Sequence, residues 1–127
     1  MSENPVRDAI QDAIKDHEVI LFMKGTPERP MCGFSARTAA ALESLGAEYA
    51  AVDILPDPRI RQELSSISNW PTIPQLFVKG ELVGGCDIVT EMYESGELAT
   101  ALGVEQPSEA QAANAVEGAP LQIDNRL

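Results

Sequence analysis

"EVILFMKGTPERPMCGFSARTAAALESLG", residues 18–46, decides the fold. Its first five apolar residues, Val19–Met23, predict a strand covered on both faces, as in a parallel or mixed sheet. Residues 25–30 follow as a loop. A helix is expected over residues 33–45, where Ala36, Ala39, Ala40, Leu42 and Leu45 supply small apolar contacts and Gly46 supplies the stop. Cys32 therefore stands at the mouth of a helix, where unpaired backbone N–H groups and the positive end of the dipole favour thiolate. Lys24 ends the strand nearby, and a cationic neighbour lowers a thiol pKa further. Ser35 occupies the position at which a C-x-x-C pair carries the thiol that resolves a mixed disulfide. A mixed disulfide on Cys32 would need an outside thiol, glutathione being the abundant cytosolic one, or else Cys86. The same lone thiolate can instead ligate a soft metal centre.

Outward from this unit the chain keeps alternating. Upstream, "NPVRDAIQDAIKDH" (residues 4–17) spaces Val6, Ala9, Ile10, Ala13 and Ile14 along one helical face, with Pro5 suited to the first position after Asn4. Downstream, "EYAAVDI" (48–54) reads as a strand. "PDPRIRQELSSIS" (56–68) reads as a helix capped by Asp57, with Ile60, Leu64 and Ile67 facing inward. "QLFV", "KGE" and "LVGG" (75–85) form a hairpin, after which Asp87 opens a helix bearing Ile88, Val89, Met92 and Tyr93, followed by "ELATAL". This order predicts an α/β domain over residues 1–103, with a small four-stranded mixed sheet flanked by helices on both faces. Residues 104–127, an acidic stretch containing Ala, Gln and Pro without an aromatic residue, predict a flexible tail.

Composition narrows the functional classes. A chain of 127 residues, 44% of them hydrophobic, has room for one ordinary core. A net charge of −11 argues against nucleic acid, whose binding rests on Lys and Arg neutralising phosphates. Two cysteines are too few for a disulfide-stapled secreted domain. The first residues lack a secretory pattern, and no apolar run approaches the roughly 20 residues of a membrane span. A soluble cytoplasmic protein is expected.

Two further motifs carry chemistry. In "WPTIPQL" (70–76) two prolines stand three residues apart before a strand, and Ile73–Pro74 is the better cis candidate. Thr72 and Pro74 would shape a turn that exposes the Ile73 backbone for main-chain pairing with a short peptide. In "VGGCD" (83–87), Gly84 and Gly85 allow close backbone approach. The N–H groups of Cys86 and Asp87 could hold a carboxylate, and the Asp87 side chain could accept from an α-ammonium group or simply cap the helix. Arg61 and Lys24 are candidate clamps for a second carboxylate. His17, the sole histidine, is assigned to the end of the first helix, without chemistry.

Taken together, "FMKGTPERPMCGFS" (22–35) and "RQELSSISNWPTIPQLFVKGELVGGCD" (61–87) resemble the monothiol glutaredoxins of the CGFS type, single-domain form, over about residues 4–103. The resemblance implies a thioredoxin-like fold. It also implies a glutathione site built from Lys24, Cys32, Arg61, the Ile73 backbone, Cys86 and Asp87. In that family two chains and two glutathiones hold a 2Fe-2S cluster, each chain giving the CGFS cysteine, here Cys32. The cluster would be carried and transferred in iron-sulfur assembly and iron homeostasis. BolA-type proteins and iron-sulfur scaffold or acceptor proteins are the implied partners. The alternative is a glutathione-dependent thiol–disulfide oxidoreductase acting through Cys32 in deglutathionylation.

Overall fold

The computed structural model describes residues 4–104. Asn4 caps the first helix, α1 (Pro5–Asp16), by accepting the Arg7 backbone N–H at 3.0 Å, and Pro5 sits where no N–H is needed. The next element, β1 (Val19–Met23), is buried at every position. Side chains alternate across a strand, so Val19, Leu21 and Met23 enter one core while Ile20 and Phe22 enter another. This is why the apolar run is unbroken: both faces of β1 have a hydrophobic layer to meet.

After α2 (Gly33–Ser44), strand β2 (Ala50–Asp53) pairs parallel with β1, Leu21 standing opposite Ala51. Helix α3 (Pro58–Ser68) starts under Asp57, whose carboxylate accepts the Arg59 N–H at 3.0 Å. Strand β3 (Gln75–Val78) pairs antiparallel with the other edge of β1, and β4 (Glu81–Gly84) completes the order β2-β1-β3-β4. Lys79 and Gly80 both take positive φ, 53° and 82°, in the turn between β3 and β4, as a two-residue hairpin turn matched to strand twist requires. Helices α4 (Cys86–Ser95) and α5 (Glu97–Leu102) follow.

On one side of the sheet, α2, α4 and α5 pack Leu42, Val89 and Leu98 against Leu21 and Leu76. On the other, α1 and α3 bring Ile10, Ile14 and Leu64 against Ile20, Phe22 and Phe77. Phe22 and Phe77 meet edge to face with ring centroids 5.8 Å apart. The expected four-stranded mixed sheet between two helical layers is therefore present.

Several local expectations change. Helix α2 ends at Ser44, one residue early, because Leu45 becomes its C-cap and Gly46 takes a φ of 68° that stops the helix. Its inward face is Ser35, Thr38, Ala39, Ala41 and Leu42; Ala40 is exposed, since the helical repeat that buries 38, 39 and 42 turns 40 to solvent. Ala9 of α1 is likewise outside. Helix α4 begins at Cys86 under Gly85, so Asp87 is not its cap but an acidic residue of the first turn, where the dipole favours negative charge. Val104, the first residue of the expected tail, donates its N–H to the Ala99 carbonyl at 3.0 Å and packs on the core. Residues 105–127, the rest of that stretch, lie outside the described residues.

Candidate functional site

In an open α/β sheet, ligands gather beyond the carboxyl ends of parallel strands. At that end, Asp53 of β2 accepts the Gly25 N–H at 2.9 Å and the Leu55 N–H at 3.0 Å, tying the loop after β1 to the loop after β2. The Met31 N–H closes back onto the Lys24 carbonyl at 2.9 Å. Gly25, at φ 90°, permits this closure: a Cβ there would lie 2.7 Å from the Met31 nitrogen. The loop thus delivers Cys32 to the start of α2 as its N-cap, in extended backbone and partly exposed.

The Ser35 backbone N–H holds the Cys32 thiol below its ordinary pKa range, helped by the Phe34 N–H, the Ser35 hydroxyl and, last, the Lys24 ammonium. Partial removal from water pushes the other way. The thiol makes no formed capping hydrogen bond, so its stabilisation comes from donors that face the sulfur and strengthen with its charge. The donors at the helix mouth outweigh Lys24, in keeping with the expected part of each. Ser35 itself is fully buried, and its hydroxyl accepts the Lys24 backbone N–H at 3.0 Å.

Beside this thiol lies a cleft of about 470 Å³. Lys24, Arg61, the turn of Thr72, Ile73 and Pro74, and the start of α4 at Gly85, Cys86 and Asp87 line it. The expected site residues therefore converge, with two exceptions. Cys32 is not in the lining and is tied to the cleft through Lys24 and Phe34. Gly84 lies behind it at φ 148°, where a Cβ would come within 2.8 Å of the Ile88 side chain.

The Ile73–Pro74 bond is cis. Cys86 is buried, and its sulfur lies 3.9 Å from the Thr90 hydroxyl, one turn along α4. Among the described residues no group of three or more His, Cys, Asp or Glu side chains is placed to hold a metal ion. Among the described residues Cys32 is the one partly exposed thiol.

Sequence reasoning passed over Phe34 and Gln75 and read Trp70 as a packing residue. Phe34 is 56% exposed and lines the cleft, with the Arg37 guanidinium 5.9 Å from its ring. Trp70 forms part of the wall. Gln75 is fully buried, and its amide nitrogen donates to the Trp70 carbonyl at 3.0 Å and the Thr72 carbonyl at 3.1 Å. A glutamine opening an otherwise apolar strand was the available signal for the last.

The glutaredoxin family model matches residues 19–83. A probable monothiol glutaredoxin 2 of Rickettsia felis is 52% identical over 98 residues, 77% of this chain and 94% of that protein. A monomeric truncated mutant of Trypanosoma brucei 1-C-Grx1 superposes with a TM-score of 0.72 at 47% identity, covering 83% of this chain and 98% of the other. A buckwheat glutaredoxin–glutathione complex gives a TM-score of 0.69 at 25% identity, covering 77% and 87%. With the mixed sheet and its two helical layers, these likenesses make the fold thioredoxin-like. No helix among the described residues is long and apolar enough to cross a membrane.

Proposed function

The chain belongs to the glutaredoxin family, among its monothiol members, and on that basis we propose that it binds glutathione beside Cys32 and carries a 2Fe-2S cluster between two copies of itself. Its role is then cluster assembly, carriage and transfer and iron homeostasis in the cytoplasm. BolA-type proteins and iron-sulfur scaffold or acceptor proteins are its partners. The observation that carries this reading is the single accessible thiol at a helix N-terminus, with a buried serine at the resolving position. A 2Fe-2S centre of this kind needs four thiolates. Cys32 from each chain gives two, and a glutathione thiolate beside each gives the other two, because Cys86 is buried against Thr90.

Glutathione recognition is supported by the cleft and by the buckwheat relative solved with that ligand. Lys24 and Arg61 would clamp one carboxylate, and the Ile73 main chain would pair with the peptide. The Cys86 and Asp87 N–H groups would hold the second carboxylate, with the Asp87 side chain accepting from the α-ammonium group. The thiolate would thereby sit beside Cys32. A cluster held half by a dissociable tripeptide is suited to transfer. Anaerobic reconstitution with iron, sulfide and glutathione is expected to give a coloured dimer in the wild type and none in Cys32→Ser. A full cluster spectrum in Cys32→Ser would refute the reading.

The lowered thiol pKa favours a second activity. The Cys32 thiolate attacks a glutathionylated protein, releasing the protein thiolate and leaving a Cys32–glutathione disulfide. A second glutathione thiolate then attacks that disulfide, freeing Cys32 and producing oxidised glutathione. Brisk turnover of a small mixed disulfide with glutathione would favour this reductase; near-absence of turnover beside a stable cluster would favour the carrier.

A further inference from the structure

We propose that Gln75 is a positioning residue that aims the Ile73 N–H into the cleft; the proposal rests on glutathione being the ligand there. Gln75 is fully buried, yet the oxygen of its side-chain amide has no hydrogen-bond partner. Packing alone would be served better by an apolar side chain of the same length, because a buried polar atom without a partner is costly. What the amide provides is its NH2 group, whose two bonds reach the Trp70 and Thr72 carbonyls, 3.0 and 3.1 Å away.

Those two bonds turn both carbonyls inward. In a trans peptide the C=O and the following N–H point in opposite directions. Thr72–Ile73 is trans, so drawing the Thr72 oxygen towards Gln75 sends the Ile73 N–H the other way. That N–H makes no hydrogen bond within the described residues, and Ile73 lines the cleft. The Trp70 carbonyl presents no comparable donor, since Pro71 follows it and has no N–H. One buried amide therefore selects one main-chain donor for an incoming peptide.

The Trp70 indole fits the same picture. Its N–H is buried without a partner, and a Cβ added to Gly85 would lie 3.1 Å from its nitrogen and 3.3 Å from the Pro74 carbonyl. The turn is thus held from below by Gln75 and seated against Gly85 from the side, which leaves its outer edge to the ligand.

The test is glutathione titration of the wild type, Gln75→Met and Gln75→Glu, followed by calorimetry and by the backbone amide resonances. Both variants keep the side-chain length; Gln75→Met removes both donors, and Gln75→Glu leaves at most the one O–H of a protonated acid. The expected result is a loss of glutathione affinity of about tenfold or more in the folded variants. The Ile73 amide resonance, displaced by glutathione in the wild type, should no longer move, and the Cys32 titration midpoint should be unchanged. A folded variant that binds glutathione as the wild type does, with Ile73 still responding, overturns the proposal and leaves the functional reading standing. A wild type that binds no glutathione overturns both. If neither variant folds, the wild type decides: its Gln75 side-chain amide protons should resist exchange and shift with Ile73 on titration, and rapid exchange with no shift refutes the assignment.

Discussion

The fully buried hydroxyl of Ser35 accepts the Lys24 backbone N–H at 3.0 Å, joining the first turn of α2 to the end of β1. The residue standing where a dithiol protein has its second cysteine is therefore a structural link as well as a donor facing the Cys32 thiol. Ser35→Ala leaves the Lys24 N–H without its partner in a part-buried setting, which costs about 1 kcal/mol. Denaturant unfolding should show that loss. The Cys32 titration, followed by thiolate absorbance, should move upward at the same time, because a donor to the sulfur has gone.

The lowered pKa of Cys32 makes stability depend on pH. The folded state holds the thiolate more readily than the unfolded chain, so its stabilisation is complete above the unfolded thiol pKa of about 8.5 and is lost as pH falls through the folded value. The stability difference between the wild type and Cys32→Ser should rise with pH inside that window and flatten below it. Urea melts at a series of pH values measure this; a difference that falls as pH rises would contradict the assigned direction.

Much of this molecule was legible in its sequence, for reasons that lie in particular residues. The unbroken run of β1 announced a strand with two hydrophobic neighbours, and Asn4–Pro5 and Asp57–Pro58 marked two helix starts that the structure retains. Helix faces rich in alanine were harder to read. In α2 the residues that decide orientation include Ser35 and Thr38, which are polar and fully buried, so counting apolar positions misplaced Ala40. Of the two readings offered for Asp87, the cap does not hold, because caps are local backbone conformations, and Gly85, with no side chain to signal it, takes that role. Gln75 was missed for a related reason: its partners are carbonyls, which no residue type reveals.

Gly84 ends β4 at φ 148°, against Ile88. Gly84→Ala would bring a methyl group to within 2.8 Å of the Ile88 Cδ1 and 2.9 Å of its Cβ. Ile88 also lines the cleft, so relief of that clash must displace a wall of the site. A destabilisation of about 1–3 kcal/mol is expected, together with weaker glutathione binding. Thermal unfolding and ligand titration of the same sample separate the two effects. Gly46→Ala is the control: it too has positive φ, but nothing lies within 4 Å of the added carbon, so strain should appear without loss of binding.

The two cysteines should differ sharply in reactivity. Cys32 is partly exposed with a depressed pKa, whereas Cys86 is buried beside Thr90. Thiolate fraction and access both set alkylation rate, and here they favour the same residue. In native buffer at neutral pH an alkylating reagent should modify Cys32 first, with Cys86 following only as the α4 corner opens or the chain unfolds. Mass spectrometry of timed samples gives the order directly, and S-methylglutathione, which has no thiol to consume the reagent, should slow the Cys32 reaction by occupying the cleft. Equal rates at the two positions would mean that Cys86 is accessible in solution. A cluster could then draw a second ligand from the same chain, and the requirement for glutathione as co-ligand would fall with it.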